Sequence, residues 1–320
     1  MKLYLKLMSL LTTVSIMLGV ASGSVIGYTA GDPITAEKKS YCFDNSKLMI
    51  GAYYGDADHV EDAAEAGIEF FVDPGTDERL LDNCYQHGIG VIALSRNFYS
   101  GYETFSDSQR NAWTDFDYAG AYKDHPALWG DSIIDEPHAA EYSNIESAYK
   151  AYTANKSDKI AYINLFPAYA NETQLGEHPK SPFGSVASSI GLGSLSSKYA
   201  AYKMYISDYI NTISTDYICL DYYPYFSKCG IYGNEVKTTD SKWITNLDIV
   251  AEACKGTNRD FWIVTQAAGL TKDGKGGNVQ RWCDESSDIS QQAYASLAFG
   301  AKTIIHGIFA SVGWWDPESH

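Results

Sequence analysis

From Leu48 onward the chain alternates short apolar runs with amphipathic stretches, eight times over. The runs fall at 48–54, 68–72, 89–94, 127–134, 159–165, 216–222, 260–266 and 302–309. Helical patterns lie between them at 57–66, 76–87, 106–122, 140–155, 196–212, 242–256 and 287–300. Such alternation is the pattern of a parallel α/β fold. Ala66-Gly67, His87-Gly88 and Phe299-Gly300 put glycine just past a helix end, where a left-handed cap is needed. Eight strands with seven helices fit a (β/α)8 TIM barrel better than an open sheet. A doubly wound fold needs a glycine-rich phosphate turn after its first strand, and Gly51-Ala52-Tyr53-Tyr54-Gly55 is not one.

Loop lengths agree with the barrel. Links from helix to strand are short, whereas the strand-to-helix links 167–195, 223–241 and 267–286 are long. In a barrel those long links gather on the C-terminal face, where active sites are built. No internal repeat beyond the βα unit and no hinge to a second domain is visible. Only Ser311 to His320 follow the eighth run, with Trp314-Trp315-Asp316-Pro317 reading as a mouth loop. The pattern therefore predicts a barrel lacking its final helix.

Composition narrows the partners. Forty acidic against 24 basic residues in 320 give a net charge of −16. That opposes phosphate binding, so no nucleic acid is expected, and it equally opposes docking on anionic lipid. Lys2, Lys6, the apolar run Leu7 to Ala21 and the small residues Ala21-Ser22-Gly23 form a secretory signal pattern over 1–30. Cleavage near 23–30 would leave 31–320 as one secreted catalytic domain, without stable membrane insertion. Six cysteines (Cys42, Cys84, Cys219, Cys229, Cys254, Cys283) include no CxxC pair, which speaks against a zinc ribbon. An exported chain allows disulfides, with Cys229–Cys283 as one candidate and Cys219 as a buried strand thiol.

The strongest chemical signal is Trp129-Gly130-Asp131-Ser132-Ile133-Ile134-Asp135-Glu136-Pro137-His138. It sets two adjacent carboxylates at the mouth end of the fourth strand. A carboxylic acid there, near aromatic walls that raise its pKa, can protonate a leaving oxygen. The plainer reading is a carboxylate capping the following helix. In a regular strand Asp135 points away from Glu136; a break at the mouth would turn it into the site. His138 could tune Glu136 or bind substrate, or simply start a helix. Asn164 on the fifth strand, Arg96 after the third and Trp314 after the eighth are candidate sugar contacts. His59, His87 and His306 give no metal-ligand spacing, and no G-x-S-x-G elbow occurs.

Pro126-Ala127-Leu128-Trp129-Gly130 leading to Asp135-Glu136-Pro137 resembles the fourth-strand signature of TIM-barrel glycoside hydrolases. Leu220-Asp221-Tyr222-Tyr223-Pro224 resembles the Asp-Tyr-Tyr-Pro motif of their secreted bacterial members. Trp262 to Gln266 and Gln292 to Lys302 are similar to their seventh strand and eighth βα unit. The resemblance implies an acid/base role for Glu136 and sugar contacts from Tyr222, Tyr223, Gln266 and Trp314. It breaks at Gln266, which stands where retaining members carry a glutamate nucleophile. The second carboxylate is then Asp221, another mouth acid such as Asp73, or Asp135 acting on a substrate acetamide. A non-catalytic glycan-binding barrel is the remaining reading. No cofactor or metal is implied, since two carboxylates suffice for acetal hydrolysis.

Overall fold

The computed structural model describes residues 46–74, 77–94, 122, 124–176, 193–229, 235–269 and 279–309. The signal pattern, the predicted helix 106–122 but for its last residue, Arg96, Trp314, Trp315 and the chain's last residues lie outside this set.

Each of the eight apolar runs holds a strand. These are β1 (Met49–Tyr53), β2 (Phe70–Val72), β3 (Gly90–Leu94), β4 (Leu128–Asp135), β5 (Ile160–Asn164), β6 (Tyr217–Tyr222), β9 (Asp260–Gln266) and β11 (Ala301–Gly307). They pair in parallel in the order β5-β4-β3-β2-β1-β11-β9-β6. A bridge between Leu165 and Leu220 draws the two edges together, with Leu165 N donating to Cys219 O at 2.9 Å. The sheet is thereby nearly closed into a TIM barrel.

Around it run α1 (Val60–Glu65), α2 (Glu78–His87), α3 (Tyr142–Asn155), the single turn α4 (Glu172–Leu175), α5 (Gly193–Thr212), α6 (Lys242–Lys255) and α7 (Ser286–Ala298). Helix α2 shows how the local sequence sets the limits. Asp77 caps its start, accepting from Leu80 N at 2.8 Å, and Gly88 ends it at φ 73°.

The link 223–241 is not the plain loop its composition suggests. It contains β7 (Tyr225–Cys229) and β8 (Glu235–Thr239), which pair antiparallel, and β10 (Val279–Gln280) from the next long link adds to β7. Two mouth links therefore support each other through a small sheet. The Cys229–Cys283 pairing is not formed: Cys283 is a free thiol whose Sγ donates to Gln266 O at 3.1 Å. Cys219 is a buried thiol, as expected from its strand.

The barrel interior is filled with aromatic rings. Tyr217 stacks on Trp262 at 4.1 Å between centroids and on Tyr162 at 6.5 Å. Their polar tips are satisfied inside: Tyr217 donates to Ala161 O at 2.8 Å, and Tyr53 donates to Tyr162 at 3.0 Å. Burying rings of this size contributes roughly 1.5–3 kcal/mol each. This packed plug is the floor on which the mouth residues stand.

Candidate active site

Strand β4 carries an irregularity that decides the site. Ser132 pairs with Tyr162, but the next partners are Ile134 with Ile163 and Asp135 with Asn164. Ile133 is thus an extra residue, a bulge. Both isoleucines face the outer hydrophobic layer between sheet and helices. The parity of the strand shifts by one, and Asp135 comes to the inner side beside Asn164. Glu136 follows with φ 48°, in the left-handed region, while its N–H still bonds Asn164 O at 2.9 Å. The bulge and the left-handed residue together bring two sequence-adjacent carboxylates into one mouth. A regular strand could not do so.

Asp221 arrives from β6. Tyr217, Cys219 and Asp221 alternate inward along that strand, so the acid tops a stack of buried groups. Asn164 joins the set: its Nδ2 donates to Asp135 Oδ1 at 2.9 Å and to Asp221 Oδ1 at 3.1 Å. Glu136 is hydrogen-bonded to Asp221 as well. Two carboxyls can share such a bond only through a proton, and the electrostatics say which holds it. Burial foremost, then the charges of Asp221 and Asp135 and the bond to Asp221, push Glu136 far above the carboxylate range. Asp221 rises less: burial and the Asp135 charge push it up, while Asn164 and Glu136 donate to it and pull it down. Of the two, Glu136 keeps its proton to higher pH, and Asp221 is the acceptor of the shared bond. Asp135 is exposed at the end of β4. Lost hydration pushes it up, opposed by the Asn164 amide.

A fourth acid stands at the end of β2. Asp73 has φ 52° and is buried, and burial pushes its carboxyl up to about 7 despite the facing Ser132 hydroxyl. Its neighbour at the end of β1, Tyr54, is also left-handed, at φ 59°. Non-glycine residues in that region are uncommon and collect at functional sites. Among the described residues three of the four sit at the mouth ends of β1, β2 and β4, and the fourth, Asn258, lies in the turn before β9.

The motif Asp221-Tyr222-Tyr223 divides its tyrosines between two sides. Tyr223 reaches the inner cluster, close to Asp221, Asp135 and Glu136. Tyr222 packs in the outer layer, 2% exposed, and donates to Asp240 Oδ2 at 3.0 Å. It braces the start of α6 and does not line the mouth, contrary to the expected sugar contact. Gln266 is a second correction. It is 1% exposed, and its Oε1 accepts from Tyr225 N at 2.8 Å. Its Nε2 donates to Tyr225 O at 3.0 Å and Arg281 O at 2.7 Å. The side chain ties the two long links together and has no donor left for a ligand. His138 is exposed at the start of a 3-10 turn; its N–H bonds Glu141 Oε2 at 2.7 Å and its ring meets Phe166. That is the helix-start role.

Two residues absent from the sequence expectations hold the site in place. The Tyr205 hydroxyl donates to Pro137 O at 2.9 Å and accepts from Phe166 N at 3.2 Å, so one buried ring on α5 fixes the turns after β4 and β5. Asn246 Oδ1 accepts Ala168 N at 2.7 Å from α6. The turn so pinned carries Tyr169, whose ring meets Tyr222 edge-on at 5.0 Å between centroids. Position just beyond a barrel strand was the signal available for Tyr169. Nothing in the sequence marks Tyr205 or Asn246.

The fold and site define the class of TIM barrels with an acidic mouth. No family model matches the chain, and no curated protein matches it in sequence. Solved structures do resemble it. A protein from Bacteroides thetaiotaomicron VPI-5482, proposed to be an alpha-L-fucosidase, superposes with a TM-score of 0.52 at 9% identity, covering 88% of this chain and 94% of its own. A b-glucuronidase from Ruminococcus gnavus gives 0.48 at 12% identity over 85% of this chain, which spans only 44% of that protein. A beta-1,4-D-mannanase from Cryptopygus antarcticus gives 0.42 at 10%, covering 89% and 91% of the two chains. At 9% identity the likeness to the first of these bears on the barrel fold alone.

Proposed function

We propose that this chain is an exported glycoside hydrolase in which Glu136 is the general acid/base and Asp221 its partner. The observation that carries this reading is the cluster of Asp135, Glu136 and Asp221 at the mouth ends of β4 and β6, with Asn164 Nδ2 bonded to Asp135 at 2.9 Å and to Asp221 at 3.1 Å. In the reaction Glu136 gives its proton to the glycosidic oxygen as the C–O bond breaks. The anionic Asp221, steadied by Asn164, faces the positive charge growing at the anomeric carbon. Water supplies the incoming oxygen, and its proton returns to the carboxyls. Asp135, brought inward by the bulge, is the candidate for orienting the substrate. General acid catalysis contributes typically ~10²–10⁴-fold, the part assigned to Glu136. Secretion is proposed on the 1–30 pattern, and an acidic secreted chain suits a neutral extracellular carbohydrate.

One feature favours a second reading, a glycan-binding barrel without turnover: the end of β9 offers no carboxylate, and Gln266 is committed to the scaffold. A panel of aryl glycosides and oligosaccharides with purified protein separates the two. Hydrolysis by wild type that is lost in Glu136→Gln supports the enzyme. Binding to the same glycans with no hydrolysis supports the second reading.

A further inference from the structure

The Gln266 side chain holds down one short stretch of the link that follows β9. That link turns back over its own start, so that Gln280, Arg281 and Trp282 lie against Gly269. Only glycine permits the contact: a Cβ there would stand 2.5 Å from Trp282 N and 2.8 Å from Gln280 O. Gln266 Nε2 donates to Arg281 O at 2.7 Å, Arg281 N donates to Tyr225 O at 3.1 Å, and Cys283 N donates to Ala267 O at 3.2 Å. The Arg281 guanidinium donates to Trp282 O at 2.9 Å and to the two Asp288 oxygens at 2.6 and 2.8 Å. Trp282 is thus clamped through its own carbonyl and through the residues on either side. Ordering a loop segment costs conformational entropy, so a clamp this complete marks a side chain whose position matters.

The indole so fixed packs against the inner cluster of the barrel, as Tyr54 and Tyr223 do, and it is only partly buried. Strand β9 pairs with β6 in the register Val264 with Asp221. The link departs after Gln266, two residues further toward the mouth, so the clamp stands above the strand next to Asp221. We infer that Trp282 is a sugar-binding residue, its indole the wall on which a pyranose ring of the substrate stacks beside the acids. The inference rests on the glycosidase reading and adds the apolar binding surface which that reading lacks. An indole offers a flat apolar face that the C–H face of a pyranose covers, leaving the ring hydroxyls free for polar groups of the mouth. Trp282 carries no proton to the reaction. Its contact is made alike in the ground and transition states, and so acts on KM rather than kcat.

The chain contains seven tryptophans, so labelling with 5-fluorotryptophan gives a fluorine NMR spectrum simple enough to assign by substitution. Trp282→Phe identifies the Trp282 signal, and Trp243→Phe identifies that of Trp243, buried in the outer layer. The titration uses Glu136→Gln protein, so that substrate persists, with aryl glycosides and β-1,4-linked gluco-, manno- and xylo-oligosaccharides as probes. A saccharide that binds should shift the Trp282 signal and leave that of Trp243 in place. In the otherwise wild-type enzyme Trp282→Ala should raise KM on the order of 10- to 100-fold, and Trp282→Phe about 3- to 10-fold, with kcat within about 3-fold. If Trp282→Ala does not fold, Trp282→Phe and the titration decide. A bound saccharide that leaves the Trp282 signal unmoved overturns the inference, and so does a loss confined to kcat. Binding that shifts Trp282 with no hydrolysis by wild type overturns the glycosidase reading and supports the stacking wall. A protein that neither binds nor hydrolyses any of the probes overturns both.

Discussion

The Asn164 side-chain nitrogen lies 3.1 Å from Asp221 Oδ1 and gives its other hydrogen to Asp135 at 2.9 Å. One neutral amide thus separates two carboxylates that would otherwise repel each other across the ends of β4 and β6. Both bonds favour the charged forms, and burial opposes them at both sites. On the proposed mechanism the amide therefore sets the acid limb of the reaction.

Replacing Asn164 by alanine should raise the apparent pKa of both acids. The group needed as an anion then forms at higher pH, so the acid limb of kcat/KM moves up and activity at neutral pH falls. KM should change little. A pH–rate profile between about 4 and 9 checks this, with circular dichroism to confirm the fold.

Gln266→Glu is the obvious attempt to restore a glutamate at the end of β9, and it should fail. The amide donates to the carbonyls of Tyr225 and Arg281, and a carboxylate would set its oxygens against both. Leaving buried carbonyls unpaired costs roughly 1–3 kcal/mol each. Denaturant unfolding should report a loss on the order of 2–4 kcal/mol with no gain in turnover. A folded, more active Gln266→Glu would show that this position belongs to the reaction.

Asp73→Asn should stabilise the protein, but only above acidic pH. The folded carboxyl is raised to about 7, above its value in the unfolded chain. For a raised acid the cost is absent below about 4, accumulates as pH rises toward 7 and stays constant above that. Asparagine removes the charge and tolerates the left-handed backbone. Each tenfold change in proton affinity between folded and unfolded chains corresponds to ~1.36 kcal/mol. The gain should therefore be on the order of 2–4 kcal/mol at pH 8 and should vanish at pH 4. Melting curves at the two pH values measure it. Equal gains at both would mean that the carboxyl is not strained by its burial.

The barrel was legible because its signal is repeated eight times, and each apolar run holds a strand with bounds shifted by no more than two residues. The bulge was not. Ile133 and Ile134 are both apolar, and a strand buried on both faces gives no parity by which to see that both point outward. Glu136 could be placed at the mouth, but its left-handed backbone left no mark in residue type. Gln266 misled for a related reason: it holds a position where chemistry was expected, and its partners are backbone atoms, which no side-chain pattern reveals. Tyr222 and Tyr223 differ only by one step in the strand, and that step sends one to a helix and the other to the mouth.

The most direct measurement is the leaving-group dependence of hydrolysis in wild type and Glu136→Gln. Glutamine keeps the shape and hydrogen-bonding reach of the side chain but has no acidic proton. Substrates whose leaving oxygen needs protonation should slow by ~10²–10⁴-fold in kcat, while activated aryl glycosides, which leave unaided, should slow far less. A steep dependence in the variant against a shallow one in wild type is the predicted result. The same loss for every leaving group, or none, would contradict Glu136 as the proton donor.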